Sequence, residues 1–231
     1  MDETSRRDFI RNAGLIGAAA VLTPAALSGC AKEREKGVGV FPLEDLMREH
    51  GVLRRLMLIF DEIGLRLGGG QDFPLYTLTR AAGIIRRFIQ DYHEKLEEDH
   101  LFNRFEAAGK LTDLVKVLRL QHEAGSRVID AIRTQAATGA FKSPPDCNRL
   151  AEHLALFTRM YRPHAAREDT VLFPAFHALV SPKVYDTLGD KFEDKEQKLF
   201  GKAGFEKIVA QVAALEGTLN IGDLSRFTPK V

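Results

Sequence analysis

His93 and Glu97, followed by Glu98, Leu101 and Phe102, form a pattern that returns 71 residues later as His164, Glu168, Asp169, Leu172 and Phe173. On a helix, residues four apart lie on one face a turn apart, so each His/Glu pair offers two ligand atoms to one metal centre. Two lone histidines repeat the offset: His50 stands 43 residues before His93 and His122 stands 42 before His164, with Leu46 and Leu118 one helical turn ahead of them. That arithmetic is expected of duplicated helical hairpins. It predicts six metal ligands on four helices: His50, His93, Glu97, His122, His164 and Glu168.

Imidazole with carboxylate suits a borderline metal such as iron, and six such ligands exceed what one tetrahedral zinc uses, so two ions are implied. If Glu97 and Glu168 bridge both ions, each ion takes two histidines and a bridging oxo or hydroxo group completes five ligands. A sixth position stays open for a small diatomic. An isolated histidine is more often a hydrogen-bonded core residue than a ligand; duplication in register reverses that preference. The two glutamates carry the most weight, because a lone carboxylate facing a helical core costs several kcal/mol and demands a cation.

These residues resemble the hemerythrin-like, or HHE, domain, a four-helix bundle that holds a non-haem di-iron centre. The acid-x-x-Leu-Phe ending, extended to Leu172-Phe173-Pro174 in the second copy, belongs to the resemblance, which covers about residues 41–200. It implies that the six residues are iron ligands, and that the protein binds or senses O2 or NO, handles iron, or carries out NO or peroxide chemistry. The best-known oxygen carriers of that family have His-x-x-x-His on the third helix, whereas Ser126 stands four residues after His122 here. A carboxylate in place of an imidazole makes the site more electron-rich, and durable oxygen carriage is not expected.

The elements that must hold these ligands are helical. Leu43, Leu46, Met47, His50, Leu53, Met57, Phe60, Gly64 and Leu67 recur in steps of three and four, and Gly68-Gly69-Gly70 closes the run. A second helix is expected from Pro74 to Ala108, with Leu78, Ile85, Ile89, Tyr92 and Leu96 inward. A third is expected from Leu111 to Thr138, with Leu111, Val115, Leu118, His122, Ile129 and Ile132 inward. The linker Gly139 to Asp146 follows, and a fourth helix is expected from Asn148 to Val180, with Leu150, His153, Phe157, Met160, His164 and Val171 on one face. Ser181-Pro182 opens a fifth helix towards Phe200, and Phe205 to Leu215 a sixth. The expected class is all-α: an up-down-up-down four-helix bundle over residues 41–200, with a C-terminal helical segment and tail over 201–231.

The first forty residues read as a separate object. Ser5-Arg6-Arg7-Asp8-Phe9-Ile10 resembles a twin-arginine export motif, an apolar stretch runs from Ala13 to Leu27, and Leu27-Ser28-Gly29-Cys30 resembles a bacterial lipoprotein processing box. Residues 1–29 are then a signal peptide, Cys30 the lipidated first residue, and 30–40 a tether. The expected location is the periplasmic or other extracytoplasmic face, with the membrane reached through the lipid. With Cys30 acylated, Cys147 has no partner and no intrachain disulfide is expected. Thirty-three basic against thirty-two acidic side chains give a net charge of +1 without a basic block, which sets nucleic acid aside as a partner.

His153 lies roughly 16 Å from His164 along a helix of 1.5 Å rise, too far to share its metal. His100 would complete Glu97-x-x-His100, the half-motif of ferritin-like di-iron oxidases, but its mate in the repeat is Val171. His177 is expected at the surface, and Glu94, Glu98, Asp99 and Asp169 either on solvated faces or orienting the ligand histidines. A ligand-binding metalloprotein is the favoured reading. The alternatives are a di-iron enzyme (NO reductase, peroxidase or oxidase), which would need an electron donor this sequence does not reveal, and an iron storage or trafficking protein.

Overall fold

A computed structural model describes residues 41–139, 141 and 143–229. The export motif, Cys30 and the tether lie outside the described residues, so those expectations stand as read from the sequence. Six helices of more than one turn cover the described residues, without a strand. We number them α1 (Pro42–Gly68), α2 (continuous from Leu75–Ile84 to Asn103–Ala107), α3 (Thr112–Thr138), α4 (from Pro144–Arg167 to Phe173–His177), α5 (Pro182–Phe200) and α6 (Gly204–Leu219). A short 3-10 turn, Leu224–Phe227, follows. No helix among the described residues is long and apolar enough to cross a membrane.

Helices α1 to α4 form the up-down-up-down bundle, with α1 against α2 and α4, and α3 against α2 and α4. Their ends follow local chemistry. Pro42 occupies the first turn of α1 with Glu44 and Asp45 beside it, complementing the helix dipole. Ser143 and Ser181 cap α4 and α5 by accepting from Asp146 N and Val184 N, each with proline next in line. Helix α3 ends on Gly139 at φ 62°, a left-handed cap that glycine adopts without a Cβ clash.

Helices α5 and α6 fold back over the α1/α2 side of the bundle. Arg55 clamps Glu216 at 2.9 and 2.5 Å, and Glu196 accepts from the Phe205 amide at 2.9 Å, joining α5 to the start of α6.

Three expectations need correction. Helix α4 starts at Pro144, inside the expected linker, because Ser143 and Pro144 make a helix start rather than a turn. Cys147 is therefore in its first turn, with Sγ donating to the Phe141 carbonyl. The buried stripe of α4 runs through Leu150, Leu154, Phe157, Tyr161 and His164. His153 and Met160 lie at its margin and Val171 is exposed, because the core follows the four-three spacing that ends at His164 and Glu168. Leu111 precedes α3 at φ 50° and is partly exposed instead of joining the core.

Candidate metal centre

The two motif helices depart from α geometry at the motif. Ile85–His93 and Glu97–Phe102 in α2, and Glu168–Leu172 in α4, are π-helical. In an α-helix four residues overshoot a full turn by about 40°. Glu94–Leu96 and His164–Arg167 stay α-helical, so each Glu keeps that offset from its His, and the π turn begins at the Glu itself; such turns recur at functional sites. Pro163 adds to the local loosening in α4, since it has no N–H to give to the preceding turn.

All six sequence-marked side chains converge in the bundle interior, the two glutamates fully buried and the four histidines nearly so. His50 and His93 bring their Nε2 atoms to 3.1 Å, and His122 and His164 theirs to 3.2 Å. The glutamates connect the pairs. Glu97 Oε1 lies 3.5 Å from His93 Nε2 and Glu97 Oε2 3.6 Å from His122 Nε2. Glu168 Oε2 lies 3.3 Å from His50 Nε2 and 3.1 Å from His164 Nε2. Each carboxylate therefore reaches one imidazole of each pair, and the donor atoms of His50, His93 and Glu97, and of His122, His164 and Glu168, each cluster tightly enough to hold an ion.

None of the four oxygens of Glu97 and Glu168 has a hydrogen-bond partner. Burying such carboxylates bare costs several kcal/mol each, and cations coordinated by these oxygens and the facing Nε2 atoms offset that cost. The residues present thus fit a pair of metal ions held by nitrogen and oxygen donors.

The opposite ring nitrogens are all engaged. His93 Nδ1 meets Glu49 Oε2 at 2.8 Å, His50 Nδ1 meets Asp169 Oδ1 at 2.7 Å, His122 Nδ1 meets Glu98 Oε1 at 3.0 Å, and His164 Nδ1 meets Gln121 Oε1 at 2.9 Å. With the proton on Nδ1 donated outward, each Nε2 presents its lone pair to the centre. Arg54 and Lys95 in turn pair with Asp169 and Glu98.

Those contacts explain the rest of the repeated motif. The acid and the Phe of each copy serve the lone histidine of the other half. Asp169 and Phe173 hold His50, with ring centroids 5.6 Å apart and stacked; Glu98 and Phe102 hold His122, at 5.5 Å. Glu98 and Asp169 were candidates for this orienting role, whereas Asp99 is exposed. Glu49 and Gln121 escaped the sequence reading, although each stands immediately before a lone histidine in the duplicated register, and that signal was available.

Tyr161 and Gln90 went unmarked, because the two copies carry different residues at this position three before the paired histidines, whereas Glu94 was among the candidates for orienting a ligand histidine. Tyr161 donates to Glu94 Oε1 at 2.6 Å, and Glu94 Oε2 lies 4.0 Å from His122 Nδ1. In the other half Tyr92 donates to Glu49 Oε1 at 3.2 Å.

Charge follows this geometry. Burial pulls the His122 imidazole down, but the charge of Glu94, the hydrogen bond to Glu98 and the charges of Glu97 and Glu168 win and hold it up at about 9. Burial likewise opposes protonation of His50 and His93, yet Asp169 and Glu168 raise the first, and Glu97 and Glu49 hold the second well above its ordinary value. Burial would raise Glu168, but His164 and His50 hold it well below the usual carboxylate range. Glu98, despite its burial, is held at about 2 by His122 and Lys95. Burial raises Glu94, and burial and Glu94 raise Tyr161 well above an ordinary phenol. Without metal, the His122 imidazole thus retains its proton near neutral pH, and an incoming cation must displace it.

The other histidines stand apart. His100 is half-buried against Phe192, with ring centroids 5.5 Å apart, and burial lowers its pKa. His153 Nδ1 meets Gln135 Oε1 at 2.8 Å, a packing role. His177 is exposed, its ring tilted against that of Tyr185 with centroids 4.9 Å apart.

Comparison with known proteins agrees with this geometry. Residues 42–203 match the model of the hemerythrin HHE cation-binding domain. Uncharacterized proteins of Mycobacterium tuberculosis and Mycobacterium bovis are 44% identical to this chain over 221 residues, covering 92% of it and 87% of their own length. No solved structure matches the chain.

Proposed function

This chain belongs to the hemerythrin HHE cation-binding family, and from that premise we propose that it is a non-haem di-iron protein that binds or senses O2 or NO at the cell envelope. The observation that carries the reading is the set of four buried carboxylate oxygens without hydrogen-bond partners, lying between two histidine pairs. His50 with His93, and His122 with His164, would each hold one iron through Nε2, and Glu97 and Glu168 would offer their carboxylate oxygens to the pair. Two iron ions so held would supply reversible electron donation to a diatomic ligand.

The chain's own residues do the rest. Glu49, Asp169, Glu98 and Gln121 fix the four rings and keep their Nδ1 protons pointing outward. Phe173 and Phe102 stack on His50 and His122, and with Leu101 and Leu172 of the same motif they are fully buried, which would keep water from the rings.

Metal analysis and ligand addition test the reading. Purified protein should contain about two irons per chain, bind NO or O2 after anaerobic reduction, and lose thermal stability on chelation, since metal binds only the folded state. A single tetrahedral zinc would sink it. Sustained turnover with an external electron donor would move it to the di-iron enzyme reading, and iron far above two per chain to storage or trafficking.

Location is a separate test. A lipidated Cys30 and the Arg6-Arg7 pair would export the protein folded, metal already in place, and tether it to the membrane. The wild type should sediment with membranes, Cys30→Ser should escape lipid processing, and replacing Arg6 and Arg7 by Lys should leave the protein in the cytoplasm. Export undiminished by the double change removes the twin-arginine assignment.

A further inference from the structure

We infer that Gln90, with Tyr161 and Glu94 behind it, forms a polar subsite on the His122/His164 half of the centre that receives a small hydrogen-bond-accepting ligand and directs it to that half. The inference rests on the di-iron reading and adds which half is used and what recognises the ligand.

The duplicated register locates the subsite. Three residues before the paired histidines stand Gln90 and Tyr161; three residues after the lone histidines stand Leu53 and Gly125. A step of three keeps the same helix face. In an antiparallel bundle, before on α2 and α4 is the same end as after on α1 and α3. All four therefore lie at the end of the site opposite Glu97 and Glu168, which follow their histidines.

The two halves differ at that end. One is closed by the buried side chain of Leu53. The other has Gly125, where a Cβ would come within 2.6 Å of Tyr161 Cε2 and collide with the hydroxyl, so the glycine makes room for the phenol. The Tyr161 ring lies 5.2 Å from that of His164, and its hydroxyl proton is committed to Glu94.

Gln90 is the unexplained member. It is 2% exposed, both amide atoms lack a hydrogen-bond partner, and it faces the Tyr161 hydroxyl without forming a well-shaped bond to it. A buried polar group left without a partner is destabilising, a cost that an apolar side chain at this position would avoid. An amide N–H beside Tyr161, whose ring lies 5.2 Å from that of His164, is suited to donate to a small ligand that would carry partial negative charge at that half. The Tyr161–Glu94 pair, anchored to each other, would form the wall beside which the amide lies.

The test uses NO on anaerobically reduced full-length protein, comparing wild type with Gln90→Leu, Gln90→Met and Leu53→Val. Iron per chain is measured first, then NO dissociation by stopped flow and the N–O stretching frequency in H2O and D2O. The expected result is unchanged iron, NO dissociation about tenfold faster in both Gln90 variants, which corresponds to about 1.4 kcal/mol, and loss of the solvent-isotope shift that the wild type shows. Leu53→Val should match the wild type within about twofold, a margin small beside that tenfold change. Gln90→Met keeps the side-chain volume, so it reports even where the leucine variant folds poorly. If the Gln90 variants behave as wild type, or Leu53→Val changes NO as much as they do, the subsite is wrong while the di-iron reading stands. If the wild type holds no iron pair or takes no NO, the di-iron reading fails and the subsite with it.

Discussion

The α1/α2 half and the α3/α4 half present the same three candidate donors, two histidines and a glutamate, at matching spacing, yet in different surroundings. In the first, His93 leans on a buried carboxylate, Glu49, which Tyr92 also holds. In the second, the equivalent His164 leans on the neutral amide of half-buried Gln121, while His122 has Glu98 in contact and Glu94 at 4.0 Å. Duplication supplied a symmetric set of donors, and divergence in the partners behind them made two unequal candidate metal positions. A charged partner on Nδ1 raises the basicity of the ring and tightens its hold on a cation, so small changes in the outer residues tune each position separately.

The largest expected effect removes what the halves share. Because each glutamate reaches one imidazole of each pair, Glu97→Ala or Glu168→Ala should empty both positions, with iron falling from about two per chain well below one. One iron retained would mean that each glutamate serves its own half alone, and the bridged arrangement would be wrong.

Exchanging the outer partners should come next in size. Glu49→Gln makes the first half resemble the second and should weaken iron affinity about tenfold to a hundredfold, the usual cost of losing an orienting partner. Gln121→Glu should strengthen the second half. Chelator competition measures both, and equal responses of opposite sign would attribute the inequality to this one pair of positions.

A smaller effect concerns pH. In the metal-free protein His122 titrates at about 9 against an ordinary 6.5, so its contribution to stability is full below 6.5 and is lost as pH rises through 9. The melting temperature of chelated protein should therefore fall over that window, and Glu98→Gln should flatten the fall. Iron-loaded protein should lack this loss, because metal has already displaced the proton. A chelated protein whose stability climbs from pH 6.5 to 9 would contradict the assignment.

The smallest effect is the control. His100→Leu should keep both irons, since its ring lies against Phe192 on α5 rather than in either donor cluster. Iron loss comparable to that of Glu97→Ala would make His100 a ligand and end the two-fold description.

The sequence by itself determined the helix count, the bundle and the six candidate donors, because duplication writes the same spacing twice and amphipathic periodicity is a local property. It also held Glu49 and Gln121 in plain register beside the lone histidines. What only the tertiary structure decided is which groups meet across helices: that the acid and Phe of each motif serve the other half, that Glu97 and Glu168 each span both histidine pairs, and that Tyr161 fits because Gly125 has no side chain. Those meetings depend on how four helices rotate about their axes as they pack and on where π turns reset the phase of α2 and α4. A one-dimensional pattern read at 3.6 residues per turn carries neither, which is why it drew the inward face of α4 through His153 and Met160 and passed over Tyr161.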